Sequence, residues 1–186
     1  MPRVGLISDT HGLLRPEATA FLRGSDRIVH AGDIGDAGVL DELRTLAPVT
    51  AVRGNNDRGP WAVALHETEV LEVGGVYIYV LHDLAELDLD PAAAGFQVVV
   101  AGHSHRPSIA RRDGVLYVNP GSAGPRRFTL PVAVAELVIA ADAIDARIAE
   151  LEIPRGPGTQ TGPRAGGRAK RSASAARRRP RTPAET

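Results

Sequence analysis

The 186-residue chain contains no cysteine, which excludes a disulfide framework, a thiolate metal site and a cysteine nucleophile. Any metal it binds must be held by nitrogen and oxygen. It also lacks an apolar run near the ~18 to 20 residues needed to cross a bilayer. The opening segment Met1-Pro2-Arg3-Val4-Gly5-Leu6-Ile7 has neither a secretory h-region nor a cleavage site. A cytoplasmic protein without membrane contact is therefore expected. The formal net charge is likewise absent, at zero, but this conceals an asymmetry. Residues 154–186 carry nine basic side chains against the single acid Glu185, a balance of +8, which leaves −8 on residues 1–153.

The segment 154–186 has scarcely an apolar side chain larger than alanine, being built from Gly, Pro, Ser, Thr, Ala and Arg. Such a composition cannot bury enough surface to offset the entropy of ordering, so a disordered tail is expected. Its charge leaves two readings open, a solvated tail or a weak, salt-dependent hold on nucleic acid or an acidic surface. Residues 1–153 are expected to form one domain.

Within that domain short apolar runs alternate with helical patterns. Strands are expected at Val4–Ile7, Arg27–Val29 and Val49–Val52, separated by helices at Pro16–Leu22 and Ala37–Leu46. This βαβαβ opening favours a parallel sheet. Further on, Gly74-Gly75 between Glu69–Val73 and Val76–Leu81 signals a hairpin. A short helical stretch near Pro91–Ala94 precedes a strand at Gln97–Ala101, and four more strands are expected at Ser108–Arg111, Val115–Val118, Val132–Ile139 and Ile144–Leu151, with turns at Asp113-Gly114 and around Asp142. Two sheets sandwiched by helices fit this mixture.

The polar residues of chemical interest follow the strands, where open α/β sheets place ligands. Asp9 and His11 follow the first strand, Asp33 the second, Asn55 the third; His82 follows Val76–Leu81, and His103 and His105 follow Gln97–Ala101. Oxygen and imidazole donors of this kind suit divalent ions such as Mn, Zn, Fe, Co or Ni. Any one of them alone is as well explained as a capping or hydrogen-bonding residue. Five groups in succession, each just past an apolar strand, are not a packing pattern.

These motifs, Asp9-x-His11, Gly32-Asp33, Gly54-Asn55-Asn56-Asp57, His82 and Gly102-His103-Ser104-His105, resemble those of the calcineurin-like metallophosphoesterase superfamily, in its compact single-domain branch of small prokaryotic phosphodiesterases. The resemblance covers residues 3 to about 150, and Asn119-Pro120-Gly121-Ser122 is similar to a segment of the same branch. It implies an α/β fold, a four-layer α-β-β-α sandwich of two mixed sheets flanked by helices. It also implies two divalent ions per chain, manganese first and Ni, Co, Fe, Zn or Mg as alternatives. Asp9, His11 and His105 would hold one ion, Asn55, His82 and His103 the other, and Asp33 would bridge them. A water activated between the metals would attack phosphorus in line.

Two positions depart from the family pattern. Many members have histidine, thought to protonate the leaving group, where this chain has Asn56, and an amide is no general acid at neutral pH. Asp83 stands where many relatives have glycine; its carboxylate either orients a ligand or repels an anionic substrate. Asp57 either orients the site or caps its loop. Arg126 and Arg127 are candidates to clamp a phosphate, with Asn55 as a second substrate contact. His30 is a candidate partner of a ligand carboxylate, His66 a surface residue, and Trp61 a wall of the entrance or an interface. The resemblance implies hydrolysis of a phosphodiester by a dinuclear centre. The alternatives are phosphomonoester hydrolysis, a metal-bearing protein-interaction scaffold like the retromer subunit of the same fold, and nuclease activity aided by the basic tail. Homo-oligomers are common in this branch.

Overall fold

The apolar run that opens the chain becomes β1 (Arg3–Ile7), and its continuous burial is what a strand covered on both faces requires. The computed structural model describes residues 1–127, 129–141 and 143–153. The basic tail and the turn residue Asp142 lie outside the described residues. After β1 come α1 (Pro16–Leu22), β2 (Arg27–His30), α2 (Ala37–Arg44), β3 (Val49–Ala51) and the single-turn α3 (Pro60–Val63). The remainder is strand: β4 (Thr68–Val73), β5 (Val76–Leu81), β6 (Val98–Val100), β7 (Ser108–Arg112), β8 (Val115–Asn119), β9 (Ala133–Ile139) and β10 (Ile144–Glu150).

Two mixed five-stranded sheets result, ordered β10-β9-β1-β2-β3 and β4-β5-β6-β8-β7. In the first, β1, β2 and β3 run parallel while β9 and β10 return antiparallel. In the second, β5, β6 and β8 are parallel between antiparallel edges. The hairpin from β4 to β5 turns at Gly74-Gly75, whose φ values of 60° and 79° are open to glycine and strained for other residues.

The sheets face each other across a core that includes Val4, Leu6, Val29, Leu137 and Ile139 from one side and Ile78, Val80, Val98, Val100 and Val118 from the other. Fully burying a side chain of this size contributes roughly 1.5–3 kcal/mol. On the outer face of the first sheet, α1 and α2 bring Leu22, Leu40 and Leu43 onto Ile7, Ile28 and Ile34. The outer face of the second sheet is covered more thinly. There Leu84, Leu87, Leu89 and Phe96 pack onto Tyr79, Leu81, Val99 and Ala101. This cover holds one 3-10 turn at Leu84–Glu86. The expected helical stretch at Pro91–Ala94 is instead a turn, closed by the Ala94 N–H on Asp90 O and the Phe96 N–H on Pro91 O, and ended by Gly95 at φ 84°. Four residues before such a glycine are too few to propagate a helix.

One buried acid ties the first sheet to its helix. Glu136 on β9 accepts from Arg3 Nε at 2.5 Å and from Arg147 Nε at 2.8 Å. The Arg3 guanidinium also reaches Phe21 O and Arg23 O at the end of α1. Burial alone would raise the Glu136 carboxyl, but the hydrogen bonds from Arg3 and Arg147 outweigh it and hold the group below its ordinary value. Among the described residues, no helix is long and apolar enough to cross a membrane.

Candidate metal centre

The two loops that carry the first three candidate ligands are laced together by their backbones. The Asp9 N–H donates to Gly32 O, that of His11 to Asp33 O and that of Gly12 to Ile34 O, at 2.7–3.0 Å. Thr10 and His30 add a side-chain rung at 2.9 Å, with the Thr10 hydroxyl donating in turn to Ile34 O. His30 is thus bound to a hydroxyl and not to a ligand carboxylate. Burial drives its pKa down to about 3, so the ring is neutral.

The structure brings the seven candidate ligands to one edge, at the ends of β1, β2, β3, β5 and β6. His105 Nε2 lies 3.2 Å from Asp9 Oδ1 and 3.4 Å from His11 Nε2. Asp33 sits between this group and the next, with His11 Nε2 3.9 Å from one oxygen and His82 Nε2 3.5 Å from the other. Asn55 Oδ1 is 3.0 Å from His82 Nε2 and 3.1 Å from His103 Nδ1. Two overlapping ligand groups follow, Asp9-His11-His105 and Asp9-Asp33-His82, each with donor atoms within 4.8 Å of one another.

Several details show that these residues fit a cation. Asp9 is fully buried; its Oδ2 accepts from Ser8 Oγ at 2.7 Å and from the His103 N–H at 3.1 Å, but its Oδ1 has no hydrogen-bond partner. A buried carboxylate oxygen without a donor is costly unless a positive charge meets it. Burial lowers the pKa of His11, assisted by the nearby Arg127 and opposed by Asp33, which favours the neutral ring and its lone pair. Burial also opposes charge on His82 and Asp33. Their mutual hydrogen bond, with those from His82 to Ala31 O and from Asn56 to Asp33, prevails. His82 rises to about 9 and Asp33 falls well below the carboxylate range.

The neighbouring residues divide into supports and approaches. Asn56 donates to Asp33 twice, from its backbone N–H at 2.8 Å and from Nδ2 at 2.6 Å. Both oxygens of buried Asp57 accept backbone N–H groups, of Gly35 and Gly54 at 2.8 Å, so Asp57 fastens the loops at the wall of the cleft that holds Asn55, His82 and His103. Asp83 Oδ2 stands 3.5 Å from His103 Nε2. Arg127 Nη2 lies 3.3 Å from His11 Nε2, whereas Arg126 is exposed and makes no hydrogen bond among the described residues. Trp61 packs against the helical side of the first sheet and not at the entrance. His66 pairs with Glu69 on the surface. A cleft of about 500 Å³ opens beside the second group, lined by Arg53, Arg58, Glu67, Asp83 and Glu86 as well as Asn55, His82 and His103.

Sequence reasoning overlooked three supports. Ser8 holds Asp9 Oδ2. The Ser122 hydroxyl donates to Asp9 O at 2.9 Å, and Asn119 Nδ2 donates to Gly102 O at 2.6 Å. The Asn119-Pro120-Gly121-Ser122 segment is therefore a brace for two ligand loops, and its position after β8, beside β6 in the second sheet, was the available signal.

Comparison with known proteins places this geometry in context. The profile of the calcineurin-like phosphoesterase superfamily domain matches residues 3–141. A probable metallophosphoesterase of Methanothermobacter thermautotrophicus is 37% identical over 163 residues, spanning 81% of this chain and 94% of its own length. Among solved structures, an archaeal phosphodiesterase superposes with a TM-score of 0.67 at 22% identity, over 79% of this chain and 99% of that one. Vps29 of Chaetomium thermophilum also gives a TM-score of 0.67, at 19% identity over 82% of this chain and all of its own.

Proposed function

Because the chain belongs to the calcineurin-like phosphoesterase superfamily, we propose that it hydrolyses a phosphodiester with two divalent cations held by Asp9, His11, Asp33, Asn55, His82, His103 and His105. The observation that carries this reading is the convergence of the donors at one edge, with Asp9, His11, Asp33, His82 and His105 in two overlapping groups, Asn55 and His103 beside His82, and a buried Asp9 oxygen that has no hydrogen-bond partner. When bound, such cations lower the pKa of water and neutralise charge on the phosphoryl oxygens. Manganese is the first candidate.

The chain's own groups do the positioning. Asp33 lies between His11 and His82, and the two donors of Asn56 prevent its carboxylate from turning away. Arg127 stands beside His11, within reach of a phosphoryl oxygen presented to the centre. Asn56 has no proton to give a departing alkoxide, so esters with acidic leaving groups are favoured. The cleft supports a diester over a monoester in having room for a second ester arm beside the ligands. The solved archaeal relative is itself named a phosphodiesterase.

The test is hydrolysis of bis-p-nitrophenyl phosphate beside p-nitrophenyl phosphate by metal-stripped protein reloaded in turn with Mn, Ni, Co, Zn and Mg. Metal-dependent diester cleavage that disappears in Asp33→Ala and His82→Ala is expected. A preference for the monoester would reassign the substrate class. A second reading, a metal-bearing interaction scaffold, draws on the likeness to Vps29, which concerns the fold alone. Two ions bound per chain without turnover of any ester would favour it.

A further inference from the structure

His103 is the most exposed of the four candidate histidine ligands. Its side chain is 44% exposed, against 5% for His82 and 9% for His105. A ligating imidazole needs one bare nitrogen, and the partner of its other nitrogen decides which. For His82 that partner is plain: Nδ1 donates to Ala31 O at 2.8 Å, so Nε2 faces the centre. His103 is turned the other way. Its Nδ1 is 3.1 Å from Asn55 Oδ1, an acceptor to which it donates unless a cation lies between them, and its Nε2 lies toward Asp83.

The group that meets this nitrogen is Asp83, with Oδ2 at 3.5 Å. Asp83 is itself held in place. Its Oδ1 accepts the Ala85 N–H at 3.0 Å and so caps the 3-10 turn, which leaves Oδ2 free for His103. The two histidines also meet edge to face, their ring centroids 5.2 Å apart, so rotation of His103 is limited on that side.

We infer that Asp83 is a positioning residue that keeps the His103 proton on Nε2 and thereby presents Nδ1 to the second cation. This rests on the proposed two-cation reading and deepens it. The present separation of 3.5 Å is about half an ångström longer than a good N–H···O bond. Removing such an orienting partner typically weakens metal binding by roughly 10–100-fold. Of the two alternatives the sequence left for Asp83, this geometry favours orientation of a ligand over simple repulsion of substrate.

The experiment is calorimetric titration of the metal-stripped full chain with manganese, for wild type, Asp83→Ala and Asp83→Asn. Wild type is expected to bind two ions. In Asp83→Ala one of the two dissociation constants should rise by roughly 10–100-fold while the other changes little. Asp83→Asn should recover most of the loss, because its amide oxygen still accepts from Nε2–H. Long-range proton–nitrogen spectra of the zinc-loaded protein supply a second readout: His103 should carry its proton on Nε2. Unchanged affinities in Asp83→Ala, or a zinc-loaded His103 protonated on Nδ1, would overturn the assignment. Equal weakening of Asp83→Ala and Asp83→Asn would also overturn it, since charge and not orientation would then be responsible. Failure of the wild type to bind two ions would instead sink the two-cation reading beneath it.

Discussion

Gly54→Ala should cripple the centre without altering any candidate ligand. Gly54 is not among the residues with positive φ, so alanine suits its backbone, and the obstacle is steric. A Cβ there would lie 2.1 Å from Asp33 N, 2.3 Å from Asp33 Oδ1 and 2.8 Å from Asp33 Cα, where ordinary contact begins at 3.4 Å. The two segments must therefore separate by about 1 Å. Asp33 cannot yield by rotating its side chain alone, since the closest atom is its backbone nitrogen and its carboxylate is held by both Asn56 donors. Overpacking of this kind costs roughly 1–3 kcal/mol, which for a domain of this size lowers the melting temperature by about 3–10 °C. A 1 Å displacement of a group at the reacting centre costs on the order of 100-fold in rate. Calorimetry of the metal-free protein and kcat/KM on a chromogenic diester with manganese would read both effects. Wild-type rates from a variant that melts within about 2 °C of the parent would refute the reasoning, because Asp33 would then have moved without consequence.

Two further outcomes follow from other contacts. Glu136→Gln in metal-free protein should destabilise by roughly 2–3 kcal/mol at pH 7, as charge-assisted bonds from Arg3 and Arg147 are lost. Because the folded carboxyl lies below its ordinary value of 4.5, its contribution is complete above that pH and fades as the pH falls through the folded value; urea unfolding at pH 7 and pH 3 should show the gap between variant and parent closing, and a constant gap would count against the ion-pair account. Asn56→His supplies the missing proton donor, so the rate on diesters with weakly acidic leaving groups should rise relative to bis-p-nitrophenyl phosphate by about tenfold or more, while an unchanged ratio would mean that another group already protonates the leaving oxygen.

What could be read in the sequence and what could not differ by the range of the information. The strands of the first sheet and the Gly-Gly hairpin were legible because each is set by a local pattern of apolar residues and turn glycines. The convergence of the seven donors was legible because every one of them follows a strand, and parallel strands deliver their ends to a common edge. Side-chain direction was not. Which of Arg126 and Arg127 approaches the centre depends on the path of a loop with no periodicity. The part played by Asp57 depends on two backbone N–H groups, one of them 22 residues away in sequence. The thin cover of the second sheet likewise follows from tertiary packing, where three partly buried leucines and a phenylalanine pack down with no more than one 3-10 turn among them.

The backbone at the centre was the least legible feature, and it is the most informative. Six described non-glycine residues have positive φ: Asp9, His11, Asp33, His103, His105 and Asp113. The last lies in the β7–β8 turn, but the other five are all candidate ligands. A left-handed conformation costs roughly 1–2 kcal/mol for a residue with a Cβ, and such residues persist only where surrounding bonds over-determine them. Here those bonds are the three backbone rungs between the Asp9 and Asp33 loops, the Ser122 hydroxyl on Asp9 O and the Asn119 amide on Gly102 O. A packing core gains nothing from placing its strain on acids and histidines. Strain concentrated on the donors, and held there by these bonds, is what fixing ligand atoms in advance of a cation requires.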